Sequence, residues 1–133
     1  DGKEVSNYPK RHIQNGVNKN NATNYKYKKL VRIMKHIKNN MVEDKMADRN
    51  KITSFLVECL VYQIPNNIIT GCSTWTETVR QAIIFLYNEI EEERHKEWCE
   101  VSDMLYLFRG IKWTDLDAKQ WLYDAWNYLE YGE

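Results

Sequence analysis

The chain has 133 residues, 43 % hydrophobic and 29 % charged, a composition that excludes a collagen-like or wholly disordered chain and fits one domain with a modest core. Its 19 basic and 19 acidic residues cancel, which taken alone argues against a polyanionic partner. They are unevenly spread, however: residues 1–51 hold 13 of the basic and 5 of the acidic residues, and residues 52–133 hold 6 and 14, so the chain has a basic half and an acidic half.

Three cysteines, Cys59, Cys72 and Cys99, form an odd number without C-x-x-C spacing. They point to neither a disulfide framework nor a zinc site, and a reducing cytoplasm is the expected location. The longest apolar run, within Phe55–Tyr62, is broken by Glu58 and is far shorter than the roughly 20 residues of a spanning helix; no membrane segment is expected. Asp1-Gly2-Lys3-Glu4 has neither an initiator Met nor a signal-peptide stretch, so the expectation is a chain that begins inside a longer protein.

In chain order, Tyr8-Pro9 after Asn7 predicts a short helical turn from Tyr8 to Gln14, which Asn15-Gly16 should end as a turn or helix stop. Thr23 or Asn24 can cap a helix whose apolar positions are Tyr27, Leu30, Val31, Met34, Ile37 and Met41. Ile52 to Ile64 is apolar almost all round, which suits a central helix buried on most sides, and Pro65-Asn66-Asn67 ends it. Thr74-x-x-Glu77 reads as a capping box ahead of a long amphipathic helix through Trp75, Val79, Ala82, Ile83, Leu86 and Ile90. Trp98, Val101, Leu105 and Phe108 continue a three-four pattern up to Gly110, predicting a further helical segment after a break near Arg94. Thr114-x-x-Asp117 opens the last helix, with Ala118, Leu122, Ala125, Trp126 and Leu129 inward and Gly132 closing it. The predicted fold is all-α, about five helices, with less than about a tenth strand and any sheet a remnant near residue 1.

Lys28, Arg32, Lys35 and Asn39 fall within about 60° of one another on the second helix, opposite Leu30, Met34, Ile37 and Met41. Lys26, Lys29, His36 and Lys38 widen this stripe, and no acid interrupts it before Glu43. A solvated helix face is the plain reading. A merely solvated helix would nonetheless interleave Glu or Asp at i,i+4, so a polyphosphate or nucleic-acid contact is the competing one. Glu58 is the one ionisable group of the central helix, with Ser54 one turn before it and Tyr62 one turn after; a carboxylate there needs a cationic or hydrogen-bonding partner, and Arg32 is the preferred choice. His12, His36 and His95 lack metal-ligand spacing. The five tryptophans sit on faces assigned to packing, while Tyr25, Tyr27 and Tyr62 are minor candidates for base stacking. No phosphate-binding Gly loop, nucleophile elbow or D-x-D occurs, so catalysis by this piece alone is not expected.

Five stretches in order resemble one family. Asn7-Tyr8-Pro9-Lys10-x-His12-x-x-Asn15-Gly16-Val17-x-Lys19-Asn20-x-x-Thr23 is followed by Tyr27-Lys28-Lys29-Leu30-Val31-Arg32-Ile33-Met34-Lys35, by Ser54-Phe55-Leu56-Val57-Glu58-Cys59-Leu60-Val61-Tyr62, by Glu97-Trp98-Cys99-Glu100-Val101 leading to Tyr106-Leu107-Phe108, and by Trp113-Thr114 and Ala125-Trp126. Over nearly the whole chain this is similar to the C-terminal helical half of bacterial nucleotidyltransferases of the CD-NTase type, relatives of oligoadenylate synthase and cyclic GMP-AMP synthase. The resemblance implies a polymerase-β-like palm outside this chain, whose carboxylates bind two Mg²⁺ and a nucleoside triphosphate, with none of the metal held here. It implies that residues 1–22 are the junction to that palm and residues 23–133 the helical nucleotide-binding domain. Cations and polar groups of this half would meet the substrate, the named set being Lys28, Arg32, Lys35, Lys19, Ser54 and Tyr62. The product would be a cyclic or linear oligonucleotide signal in antiphage defence. A non-enzymatic helical module that binds nucleic acid through Lys28, Arg32 and Lys35 is the alternative.

Overall fold

The computed structural model describes residues 8–131. Among them are six α-helices: α1 (Pro9–Ala22), α2 (Lys26–Glu43), α3 (Ser54–Tyr62), α4 (Asn66–Thr70), α5 (Trp75–Glu91) and α6 (Asp115–Tyr128). The described residues hold no strand longer than an isolated antiparallel bridge between Cys99 and Tyr106, so the all-α reading stands. Residues 1–7, where a sheet remnant was expected, and Gly132, the expected helix stop, lie outside the described residues. No helix of the described residues is long and apolar enough to cross a membrane.

The helix starts follow capping chemistry. Thr53, Thr74 and Thr114 adopt extended backbone angles, and each side-chain oxygen accepts from the backbone N–H three residues on, at Leu56, Glu77 and Asp117. Thr23 does related work without being the N-cap. Its hydroxyl accepts from the Tyr27 N–H at 2.9 Å, while Asn24 and Tyr25, both with positive φ, turn the chain from α1 into α2.

Two sequence expectations are corrected. α1 does not stop at Asn15-Gly16; it runs to Ala22 with Gly16 buried inside it. A glycine in a helix costs about 1 kcal/mol, and tertiary docking offsets it: Asn15 Nδ2 donates to the Val101 carbonyl at 2.7 Å and Arg11 Nε to the Ser102 carbonyl at 3.1 Å. The second correction is the segment Trp98 to Phe108, which forms no helix. It folds back on itself, Glu100 N donating to Leu105 O and Leu107 N to Trp98 O, with Asp103 at positive φ. The carbonyls of Cys99, Val101 and Ser102 are taken by Gln63, Asn15 and Arg11. A helix of this length is marginal alone, and here it would have to surrender those three acceptors to its own ladder.

The core is one cluster centred on α3, where Leu56, Val57, Cys59, Leu60 and Val61 are fully buried. α2 packs on α3, and α5 packs on α6. All three cysteines are free thiols, and burial raises the Cys59 thiol well above its ordinary value. His95, 3 % exposed, ties the irregular stretch to the start of α6 through Nε2 and Asp115 Oδ2 at 2.7 Å.

Candidate functional site

α3 is so apolar that its one polar ridge stands out. Ser54, Glu58 and Tyr62 repeat every four residues, so they share a side, and they alone of the helix, with Phe55, keep some exposure. A cation from a neighbouring helix stands on each step. Lys38 Nζ donates to Ser54 Oγ at 3.2 Å. Glu58 takes Lys35 Nζ at 3.5 Å on one carboxylate oxygen and His12 Nε2 at 3.1 Å on the other. Lys19 Nζ lies 5.5 Å from the centroid of the Tyr62 ring and 5.9 Å from that of Tyr27. α1 therefore supplies His12 and Lys19, and α2 supplies Lys35 and Lys38.

The predicted residues divide into two groups. Lys28 and Arg32 lie exposed on α2, one turn apart and N-terminal to Lys35. Neither has an ion pair among the described residues. The Lys28 backbone N–H is held by Asn20 Oδ1 at 3.0 Å, which fastens the start of α2. Opposite them Leu30, Met34 and Met41 are wholly buried. Lys35 and Ser54 join this group at the first two steps of the ridge. Lys19 and Tyr62 stand apart, two turns or about 12 Å along α3 from Ser54. The Lys19 ammonium donates to the Ile64 carbonyl at 2.8 Å and to Asn66 Oδ1 at 2.7 Å, and burial lowers its pKa.

Three expectations about side chains change. Glu58 pairs with Lys35 and His12, not with Arg32, because α3 docks against the later turn of α2 and brings α1 to its other side. Lys38 is not part of the open stripe: it is 5 % exposed, and its pKa is lowered by burial and then by Lys35 and Arg49. Its aliphatic stem covers core while its head reaches Ser54. Tyr27, 1 % exposed, is closed to base stacking.

An aromatic run was missed. The His12 ring stacks on Phe55 at 5.6 Å, and Phe55 stacks on Trp113 at 5.4 Å. Trp113 Nε1 donates to the capping oxygen of Thr53 at 3.2 Å, so the stack braces the start of α3 beside Ser54. Nothing in the spacing of residues 12, 55 and 113 signals that contact. No three His, Cys, Asp or Glu side chains of the described residues gather where a metal ion could be held.

Residues 14–130 match the family model described as cGAS/DncV-like nucleotidyltransferase C-terminal helical domain. The chain is 46 % identical over 129 residues to a cyclic dipyrimidine nucleotide synthase CdnE of Cecembia lonarensis, covering 96 % of this chain and 44 % of that protein. It is 35 % identical over 133 residues to a cyclic dipurine nucleotide synthase of Elizabethkingia meningoseptica, covering 98 % and 44 %. A solved structure of the Elizabethkingia meningoseptica CdnE cyclic dinucleotide synthase, with GTP and Apcpp, superimposes with a TM-score of 0.85 at 34 % identity, over 93 % of this chain and 45 % of that one. The chain thus spans under half the length of these relatives.

Proposed function

This chain belongs to the cGAS/DncV-like nucleotidyltransferase C-terminal helical domain family, and from that premise we propose that its basic face binds the phosphates of a nucleoside triphosphate in a cyclic oligonucleotide synthase. The observation that supports this most is the open face of α2, where Lys28 and Arg32 are exposed without an ion pair among the described residues while the opposite side is core. Such a face repels itself and is stabilised by an anion. Arg32 offers a planar fork suited to two phosphate oxygens, and Lys28 and Lys35 act as point charges. Ser54 accepts from Lys38, which leaves its own O–H to donate to a phosphate oxygen. Lys19 and Tyr62 stay outside the phosphate set, because the Lys19 ammonium already serves Ile64 and Asn66.

In this proposal residues 1–22 are the junction to a polymerase-β-like palm and residues 23–133 the helical nucleotide-binding domain. The Mg²⁺ ions and the catalytic carboxylates belong to the palm, and this chain orients the triphosphate by its cations. The setting is cytoplasmic antiphage signalling. The test is nucleoside triphosphate affinity of the full-length protein: Arg32→Ala should weaken it about tenfold or more, as expected for a charge-assisted contact of about 1.5 kcal/mol or more, with melting unchanged. Unchanged affinity in both Arg32→Ala and Lys35→Ala would end the reading.

A further inference from the structure

Glu58 is an acid in the middle of a cationic face, and its two partners differ in what they can do when an anion arrives. The side chains of Lys35, Glu58 and His12 are 32 %, 25 % and 18 % exposed. Lys35 carries its ammonium on a flexible four-carbon stem in the same α2 row as Lys28 and Arg32, so it can swing from Glu58 toward a ligand on that face. His12 is pinned by its stack on Phe55. With Glu58 accepting, the His12 proton sits on Nε2; Nδ1 is buried without a partner, so among the described residues the bond to Glu58 is the ring's one polar contact. Glu58 therefore keeps a donor when Lys35 leaves, and releasing Lys35 does not strand a bare carboxylate.

We infer that Glu58 is a positioning residue that competes with the triphosphate for Lys35, holding the ammonium in place when the face is empty and weakening the grip on phosphate when it is filled. This rests on the proposed phosphate-binding reading. A phosphate group bound by that same ammonium lies within several ångströms of the Glu58 carboxylate, and like charges at that range oppose each other in a half-buried setting. A purely architectural ion pair makes the opposite prediction, since removing it loosens Lys35 and gains nothing for a ligand.

The experiment measures binding of a non-hydrolysable nucleoside triphosphate analogue to the full-length protein, with Glu58→Gln, Lys35→Ala and the double variant, and thermal melting of each. Glutamine keeps an oxygen for the His12 Nε2–H. Glu58→Gln should tighten binding by about three- to tenfold, and the gain should vanish in the Lys35→Ala background, because the coupling runs through that pair. Glu58→Asp, which retains the charge and draws it back from Lys35, should fall between the wild type and Glu58→Gln and serves if the glutamine variant melts early. Affinity that is unchanged or weaker in Glu58→Gln while Lys35→Ala weakens binding overturns the competition alone. The same gain in the double variant also overturns it. Unchanged affinity in both Lys35→Ala and Arg32→Ala instead sinks the phosphate-binding reading beneath it.

Discussion

The C-terminal end and the middle of the α3 ridge each carry a lysine, and the lysines are held in opposite ways. At the C-terminal end Lys19 donates to the backbone carbonyl of Ile64, an acceptor just past the end of α3 and so without a partner in that helix, and also to the side-chain oxygen of Asn66. At the middle of the ridge Lys35 faces a half-exposed carboxylate on a surface it shares with Lys28 and Arg32. A lysine bound to backbone is part of the architecture, because its partner cannot turn away or be substituted. A lysine bound to a side chain that has a second partner is exchangeable. The difference teaches that charge alone does not mark a ligand contact; the kind of acceptor that already holds the charge decides it.

The largest effect should come from the locked end. Lys19→Met leaves the Ile64 carbonyl and Asn66 without their charged donor, which costs about 1.5 to 3 kcal/mol and should lower the melting temperature by several degrees. Arg32→Ala should do the reverse, with affinity falling and melting unmoved. A Lys19 variant that melts normally but loses nucleotide affinity would erase the contrast between the two lysines.

Glu100, in the fold-back stretch whose neighbouring carbonyls dock on α1 and α3, sharpens the comparison through pH. Its side chain is 4 % exposed and its Oε1 has no hydrogen-bond partner among the described residues. Burial pushes its carboxyl up from 4.5 to about 7, opposed by the charge of Lys112. A folded-state value above the unfolded one means that the folded chain binds more protons between those pH values. Stability from this group is thus fully present below about pH 4 and lost as pH rises through 7. Glu100→Gln should flatten that slope and raise the melting temperature at pH 8 by a few degrees, while changing little at pH 4. A variant that melts lower at pH 8 would show instead that the charged form is satisfied where it lies.

The smallest effects are at the caps. Thr74→Ala removes one acceptor, for Glu77 N–H, and should cost about 1 kcal/mol. Thr53→Ala removes the acceptor of both Leu56 N–H and Trp113 Nε1, so it should cost somewhat more than Thr74→Ala. Equal melting shifts would mean that the Phe55–Trp113 stack does not depend on Thr53.

Local chemistry was legible wherever it acts within one turn of helix. Thr74, Thr114, the apolar row of α2 and the all-round apolarity of α3 each declare themselves by spacing, because a helix places residues three and four apart on one side whatever surrounds it. The basic row of Lys28, Arg32 and Lys35 was legible for the same reason, as was the shared side of Ser54, Glu58 and Tyr62. What those groups bind was not legible. Periodicity shows that Glu58 needs a partner; it does not show that α1 passes Asn15-Gly16 unbroken and sets His12 and Lys19 beside α3, which requires contacts 86 and 91 residues away in sequence. The three-four pattern from Trp98 to Phe108 misled because a fold-back also buries Val101 and partly covers Trp98, Leu105 and Phe108 without forming a helix. Three carbonyls claimed by side chains from elsewhere settle the choice. Residue spacing alone is enough to set the helices that cap and bury themselves locally, and the open cationic face of α2. Which lysine is locked to backbone and which shares a carboxylate follows from how the helices pack, since an acceptor is chosen by distance in space and no residue's identity encodes that distance.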